Sequence, residues 1–157
     1  MAGAYGLTTM YNLTASIGTS SEKEASSVTW TYAPLEDGFD NISEALNEVV
    51  QQYFFLSDNG FARNHVTGMA PAFTLTGRRV MGDAAQDYIF GQKYNLDTAR
   101  QSSFQLKYSD AAGTEHTITC DCTICNIQEW SGATTDDSAI SVEIRFDGAP
   151  EITPPVE

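Results

Sequence analysis

Three cysteines, Cys120, Cys122 and Cys125, follow closely on His116, and together they have the makings of a metal site. Zinc sites use paired C-x-x-C motifs or one such pair with a distant pair of histidines. The spacing here is C-x-C-x-x-C, and Cys120 and Cys122 share the apolar side of a strand pattern with Ile118 and Ile124. Small thiols in that setting are core residues, and core cysteine is the better reading. Their odd number in a chain without an export signal points to reduced thiols. Catalysis finds little to work with. The two histidines, His65 and His116, each fall within a strand pattern, and no G-x-S-x-G, H-E-x-x-H or P-loop motif occurs. Carboxylates are plentiful, but no spacing pairs two of them for acid–base work. Asp136-Asp137 lacks the alternating ligands of a calcium loop and reads as a solvated hairpin tip. No catalytic, cofactor-binding or metal-ligating residue is assigned, and the chain reads as a non-enzyme.

Arg78 and Arg79 are adjacent in a chain where basic residues are scarce. One reading makes them an exposed turn or an intramolecular pair with Asp83 or Asp87. The other makes Arg78, Arg79, Asp83 and Asp87 part of a contact between subunits, where ion pairs set orientation more than affinity. Sequence leaves both open. Lys and Arg total 8 against 21 Asp and Glu, a formal charge of -13. Such a balance argues against a protein that grips nucleic acid, because neutralising phosphates takes Lys and Arg. It suits high solubility, or a surface that must not adhere to DNA. The N-terminus has neither the basic n-region nor the apolar h-region of a signal peptide. No run approaches the ~18 apolar residues of a membrane span.

The elements that would position these residues follow from periodicity. At 157 residues, 41% of them hydrophobic, the chain reads as one domain, 1–157, able to hide roughly two-thirds of its unfolded surface. Ser20 to Lys23 reads as a turn, and Val28, Trp30 and Tyr32 share one face of a first strand that Pro34 ends. Residues 33–48 carry five acids and no base. Ile42, Leu46, Val49 and Tyr53 are spaced like a helix face, but a long acidic loop is preferred. Asp58-Asn59-Gly60 turns a hairpin of Gln51–Leu56 and Phe61–Val66. Phe73 and Leu75 then alternate with Thr74 and Thr76. A short helix of about residues 83–90 follows, capped by Asp83 with Gln86 reaching back, buried through Ala84, Ala85, Tyr88 and Ile89, and stopped by Gly91. Strands are expected at Phe104–Tyr108, at Glu115–Trp130 with a bulge at Cys125–Asn126, and at Ile140–Phe146. Residues 148–157 read as an extended arm. The fold class is mainly β, an antiparallel sandwich or barrel with one short flanking α-helix.

The string TGRRVMGDAAQDYIF, Thr76 to Phe90, closely resembles a motif of the major tail tube proteins of long-tailed bacteriophages, and GFARNHVTG, Gly60 to Gly68, stands where that family tends to have a strand pair leading to a VTG turn. The likeness is best over Gln51 to Phe90, weaker over the C-terminal strands and poor in the first 35 residues. It implies a virion structural protein of a siphovirus-type tail, assembled in the bacterial host cytoplasm. Its subunits would form six-fold rings whose sheets merge into a channel wall, and the rings would stack by an extended loop. On this chain the implied inter-ring anchors are Leu35, Phe39, Ile42 and Leu46 of the acidic loop. The implied lumen residues are Thr119, Asp121, Thr123, Glu143 and Asp147. Partners would be further copies, a tape measure protein and terminator or tip proteins, with DNA passing unbound. The tube of a contractile tail, bacteriocin or injection system is the near alternative. A small β-sandwich binding module is the other class, with Trp130 as its one aromatic contact candidate.

Overall fold

The computed structural model describes residues 7–24 and 27–154. Within them ten strands and one α-helix are arranged: β1 (Thr14–Glu24), β2 (Ser27–Pro34), β3 (Phe39–Ala45), β4 (Val49–Tyr53), β5 (Arg63–Gly68), β6 (Ala72–Arg78), α1 (Ala84–Gly91), β7 (Gln101–Ser109), β8 (Glu115–Gln128), β9 (Ala139–Phe146) and β10 (Glu151–Thr153). Eight of the strands form one sheet in the order β2-β1-β7-β8-β9-β6-β3, with β10 added to β8. Every pairing is antiparallel. β4 and β5 form a separate two-stranded sheet.

Alternation dictates the core. Ile140, Val142 and Ile144 of β9 are at most 2% exposed, and they meet Phe73 and Leu75 of β6, Phe104 and Leu106 of β7, and Cys122 and Ile124 of β8. Phe73, Phe104 and Phe146 form a ring cluster with centroids 5.1 to 5.9 Å apart. Residues from both ends of the sheet join the same cluster, Ala33 of β2 and the following Leu35 buried in it and Phe39 and Ile42 of β3 partly buried against it, so the sheet curls around one core. A groove of about 380 Å³ lined by Leu13, Ala15, Leu35, Phe39, Ile42 and Leu75 marks the seam. The helix packs against β1, β2 and β8, with Ala85, Ile89 and Phe90 in the core cluster. Two turns are too few to persist alone, so α1 owes its existence to this packing.

Several expectations change. β1 runs through Ser20 to Lys23, where a turn was expected. The acidic stretch 33–48 is not a long loop: β3 occupies Phe39–Ala45 and pairs with β6. An edge strand has one neighbour and presents charged side chains to solvent, which blunts its open edge. Such a strand loses the clean apolar alternation that would have identified it. The helix buries Ala85, Gln86, Ile89 and Phe90, while Ala84 is exposed. Asp83 does cap, accepting from the Gln86 backbone N–H at 3.1 Å. Gly91 lies inside the helix, and Gln92 in αR conformation follows it, with no left-handed glycine stop. The bulge is present: the β8–β9 register shifts between Cys125 and Gln128, and Asn126 takes φ 51°. Of the expected arm, Glu151–Thr153 form β10 and pair with β8, and residues 155–157 lie outside the described residues.

Candidate functional site

The two arginines part company. Arg79 is drawn into its own chain, its side chain only 6% exposed. Nε donates to Glu129 at 2.8 Å, Nη2 to Asp87 at 3.0 Å, and Nη1 to the Val80 carbonyl and the Gln86 amide oxygen. The guanidinium also stands 4.8 Å over the Phe90 ring. Lys93 completes the knot, with Nζ 2.5 Å from the other Glu129 oxygen. Burial pulls the Arg79 pKa down, but Glu129 and Asp87 outweigh it and leave it raised. Glu129 mirrors this. Burial pushes its carboxyl up, and hydrogen bonds from Lys93 and Arg79 leave it below its ordinary value. The intramolecular alternative therefore describes Arg79 and Asp87, and Asp83 serves as the helix cap. Arg78 is exposed and donates to the Asp137 carbonyl at 3.1 Å.

Gln86 was legible only as half of a capping box. Its buried amide instead joins three segments. Oε1 accepts from the Val80 N–H at 2.8 Å, and Nε2 donates to the carbonyls of Asp37 at 2.9 Å and Arg78 at 3.0 Å. Gly38 and Gly77 permit this closeness: a Cβ on Gly77 would lie 1.9 Å from the Gly38 carbonyl oxygen. Glu129 and Lys93, at the end of β8 and after α1, were not foreseen, because nothing local in the sequence pairs them with Arg79.

The five lumen candidates lie on the face of the sheet turned away from the core. Thr119, Asp121 and Thr123 alternate along β8, and Thr123 donates to Asp147 at 2.6 Å. Glu143 pairs with Arg145 on β9 and accepts from Asn126 at 3.3 Å. Across the strands Thr119 neighbours Gln105 and Glu151, and Asp121 neighbours Ser103. The result is a polar surface with more carboxylates than cations.

The implied inter-ring anchors are divided. Leu35 is buried in the subunit's own core, and Phe39 and Ile42 pack partly against it. Leu46 is exposed, and it stands at the base of the β4–β5 hairpin, where its carbonyl accepts from the Ala70 N–H. Exposed apolar side chains gather on that hairpin: Val49, Val50, Phe54, Leu56 and Phe61, with Met69 just after it. Phe54 and Phe61 are 65% and 78% exposed, and Leu56 is fully so. Tyr53 stacks on Phe55, which also lies under Arg63, itself paired with Asp58. An isolated two-stranded hairpin is marginal in water, and a large exposed apolar patch marks an interaction site.

The cysteines are free thiols: Cys120 and Cys122 are buried, and Cys125 is half-buried. Burial pushes the Cys122 thiol far above its usual range. Among the described residues no cluster of His, Cys, Asp or Glu is disposed to hold a metal. Trp130 is exposed, with Lys93 5.5 Å from its ring. No helix among the described residues is long and apolar enough to cross a membrane.

No family model matches the sequence, and no curated protein matches it. Solved structures do. The chain is similar to one from the tail of an empty GTA particle, refined with C6 symmetry, at a TM-score of 0.64 and 12% identity over 93% of this chain and 98% of the other. It is similar to a chain of the anti-feeding prophage tube-terminating cap, at 0.58 and 16% over 98% and 94%. It is also similar to a chain of the sheath–tube complex of PVC, an extracellular contractile injection system, at 0.57 and 13% over 96% and 93%. Identities this low speak for the fold: a mainly antiparallel β fold with one helix, of tail-tube type.

Proposed function

We propose that this chain is the tube subunit of a phage tail or tail-like particle, a structural protein that stacks as six-fold rings into a hollow conduit. The observation that carries the reading is the β4–β5 hairpin, a separate two-stranded sheet clothed in exposed Phe, Leu and Val on a body of tail-tube type. A head-to-tail contact, in which one patch meets a different patch on the next copy, is what generates rings and open tubes. The hairpin takes the inter-ring role that the resemblance gave to residues 35–48, with Leu46 at its base. The similarities span a particle tail and contractile injection systems alike, so they favour a tube without choosing the siphovirus-type tail over the contractile one.

In this reading Thr119, Asp121, Thr123, Glu143 and Asp147 face the channel, and Arg78 is the arginine left to reach a neighbour. DNA passes without being bound. A tape measure protein and terminator or tip proteins are the expected partners, and the tail of a particle assembled in the bacterial cytoplasm is the expected location. Electron microscopy of the concentrated protein, beside its solution mass, tests the proposal. Six-fold rings or hollow tubes are expected. A monomer that also failed to extend on a preformed tail tip would overturn it.

A further inference from the structure

His116 lies at the start of β8, with its imidazole side chain 6% exposed. Nδ1 is 2.6 Å from the Pro154 carbonyl oxygen, and Nε2 is 2.8 Å from Asp110 Oδ2. Both partners are acceptors. A neutral imidazole has one N–H to give, so satisfying both requires the doubly protonated ring. Tyr108 of β7 stacks on it at 5.3 Å and fixes its plane. Asp110 is itself held by the turn, accepting from the N–H groups of Ala112 and Thr114. Pro154 directly follows β10, which pairs with β8 through three residues, Glu151, Ile152 and Thr153. A strand that short, with Ile152 its one half-buried side chain, has little else to hold it.

We propose that His116 is a pH-dependent latch for the C-terminal strand: as an imidazolium it ties the Pro154 carbonyl to Asp110 and clamps β10 onto β8, and its deprotonation lets β10 come away. Release would uncover the β8 edge at Thr117–Thr119, because β9 pairs with β8 only from Cys122 onward. Unpaired strand edges invite pairing with another chain, so the latch decides whether that edge is covered.

The surroundings leave Asp110 as the governing charge. Tyr108 faces the ring from β7, β10 offers Ile152 on that side, and Pro154 just after it offers its carbonyl. Glu115, Lys107 and Glu151 stand one residue off the His116 face in register, so alternation points them to the opposite side of the sheet. The hydrogen bond to Asp110 raises the His116 pKa, the Pro154 carbonyl adds to this, and burial opposes it. His116 in turn lowers the Asp110 pKa. A raised histidine contributes fully below its unfolded pKa and is lost as pH rises through the folded one. A lowered aspartate is lost only as pH falls through its own folded pKa, below the ordinary carboxylate range. The latch is thus closed at mildly acidic pH and opens on the alkaline side.

Amide hydrogen exchange of the full chain at Glu151–Thr153, corrected for the intrinsic rate, tests this between about pH 6 and about pH 10. Protection should fall on the order of tenfold across the His116 titration, while that of Val142 in β9 stays constant. His116→Gln should give low, pH-independent protection of the arm, and Asp110→Asn should move the step to lower pH. The imidazole of His116 should titrate above the ordinary histidine range. Arm protection that does not change with pH, or a step that survives His116→Gln, would overturn the latch. Should His116→Gln fail to fold, an unshifted step in Asp110→Asn would do the same.

Discussion

At the scale of single residues, the most consequential arrangement is the ionic knot around Glu129. Its carboxylate receives both Arg79, 6% exposed, and Lys93, and it holds the segment after α1 against the end of β8. Breaking a buried pair from one side costs far more than the pair is worth against an apolar replacement, since the other charge stays buried and uncompensated. Glu129→Gln keeps the shape and removes the charge. It should cost about 3 kcal/mol, read in thermal melts as a drop of about 6–12 °C. Asp87 touches the same guanidinium with its side chain 46% exposed, so Asp87→Asn should cost less than about 1 kcal/mol. The pH dependence has a definite sign. Because the folded Glu129 pKa is lowered, its contribution is present above the unfolded value and lost as pH falls through the folded one. The gap between wild type and Glu129→Gln should therefore close in acid. Equal losses from the two substitutions would show that Glu129 is not the centre of the knot.

Among the elements, the proposed reading puts the functional weight on the hairpin β4–β5, whose exposed apolar side chains give the subunit itself little. Replacing Phe54, Leu56 and Phe61 together with Ser should leave folding stability within about 0.5 kcal/mol per site, since all three are exposed in the free subunit. Tube formation should nevertheless be lost. Tubes of normal length from a well-folded triple variant would remove the hairpin from the inter-ring contact. How far sequence could reach differs by element for a physical reason. β9, β6 with α1 behind it, and the bulge in β8 were legible, because one face of each packs on the core and writes a period of two or a cap into the residues. β3 was not. Ile42, Leu46 and Val49 are spaced like a helix face, but only Ile42 lies on the edge strand that β6 alone pairs, so no apolar alternation marked it. The hairpin was legible as two strands and a turn from Asp58-Asn59-Gly60, yet its apolar residues read the same whether buried in the subunit or left for a neighbour. The knot around Glu129 was invisible, since its members are separated by 36 and 50 residues.

For the molecule as a whole, the charge of -13 gains meaning from where the few cations go. Arg63, Arg79, Lys93 and Arg145 are each paired with a carboxylate of the same chain. Arg100 gives its donors to the carbonyls of Asn95, Ile124 and Lys93. Among the described residues most cationic side chains are thus engaged within the chain, and the polar face of β8 and β9 is net acidic. A conduit for DNA benefits from this, since each Lys that neutralises a phosphate releases counterions, and a few such contacts per ring would add up along a tube. Thr119→Lys with Thr123→Lys adds two positive charges per subunit on that face without touching the core. Particles built from it should assemble and release DNA slowly at about 50 mM salt, with the rate recovering toward about 200 mM. Asp136→Asn with Asp137→Asn changes the net charge by the same amount on the exposed loop before β9 and should leave release unaltered. Normal release from the lysine variant at low salt would mean that this face does not line the channel. Equal slowing by both variants would mean that net charge, and not its position on β8, governs passage.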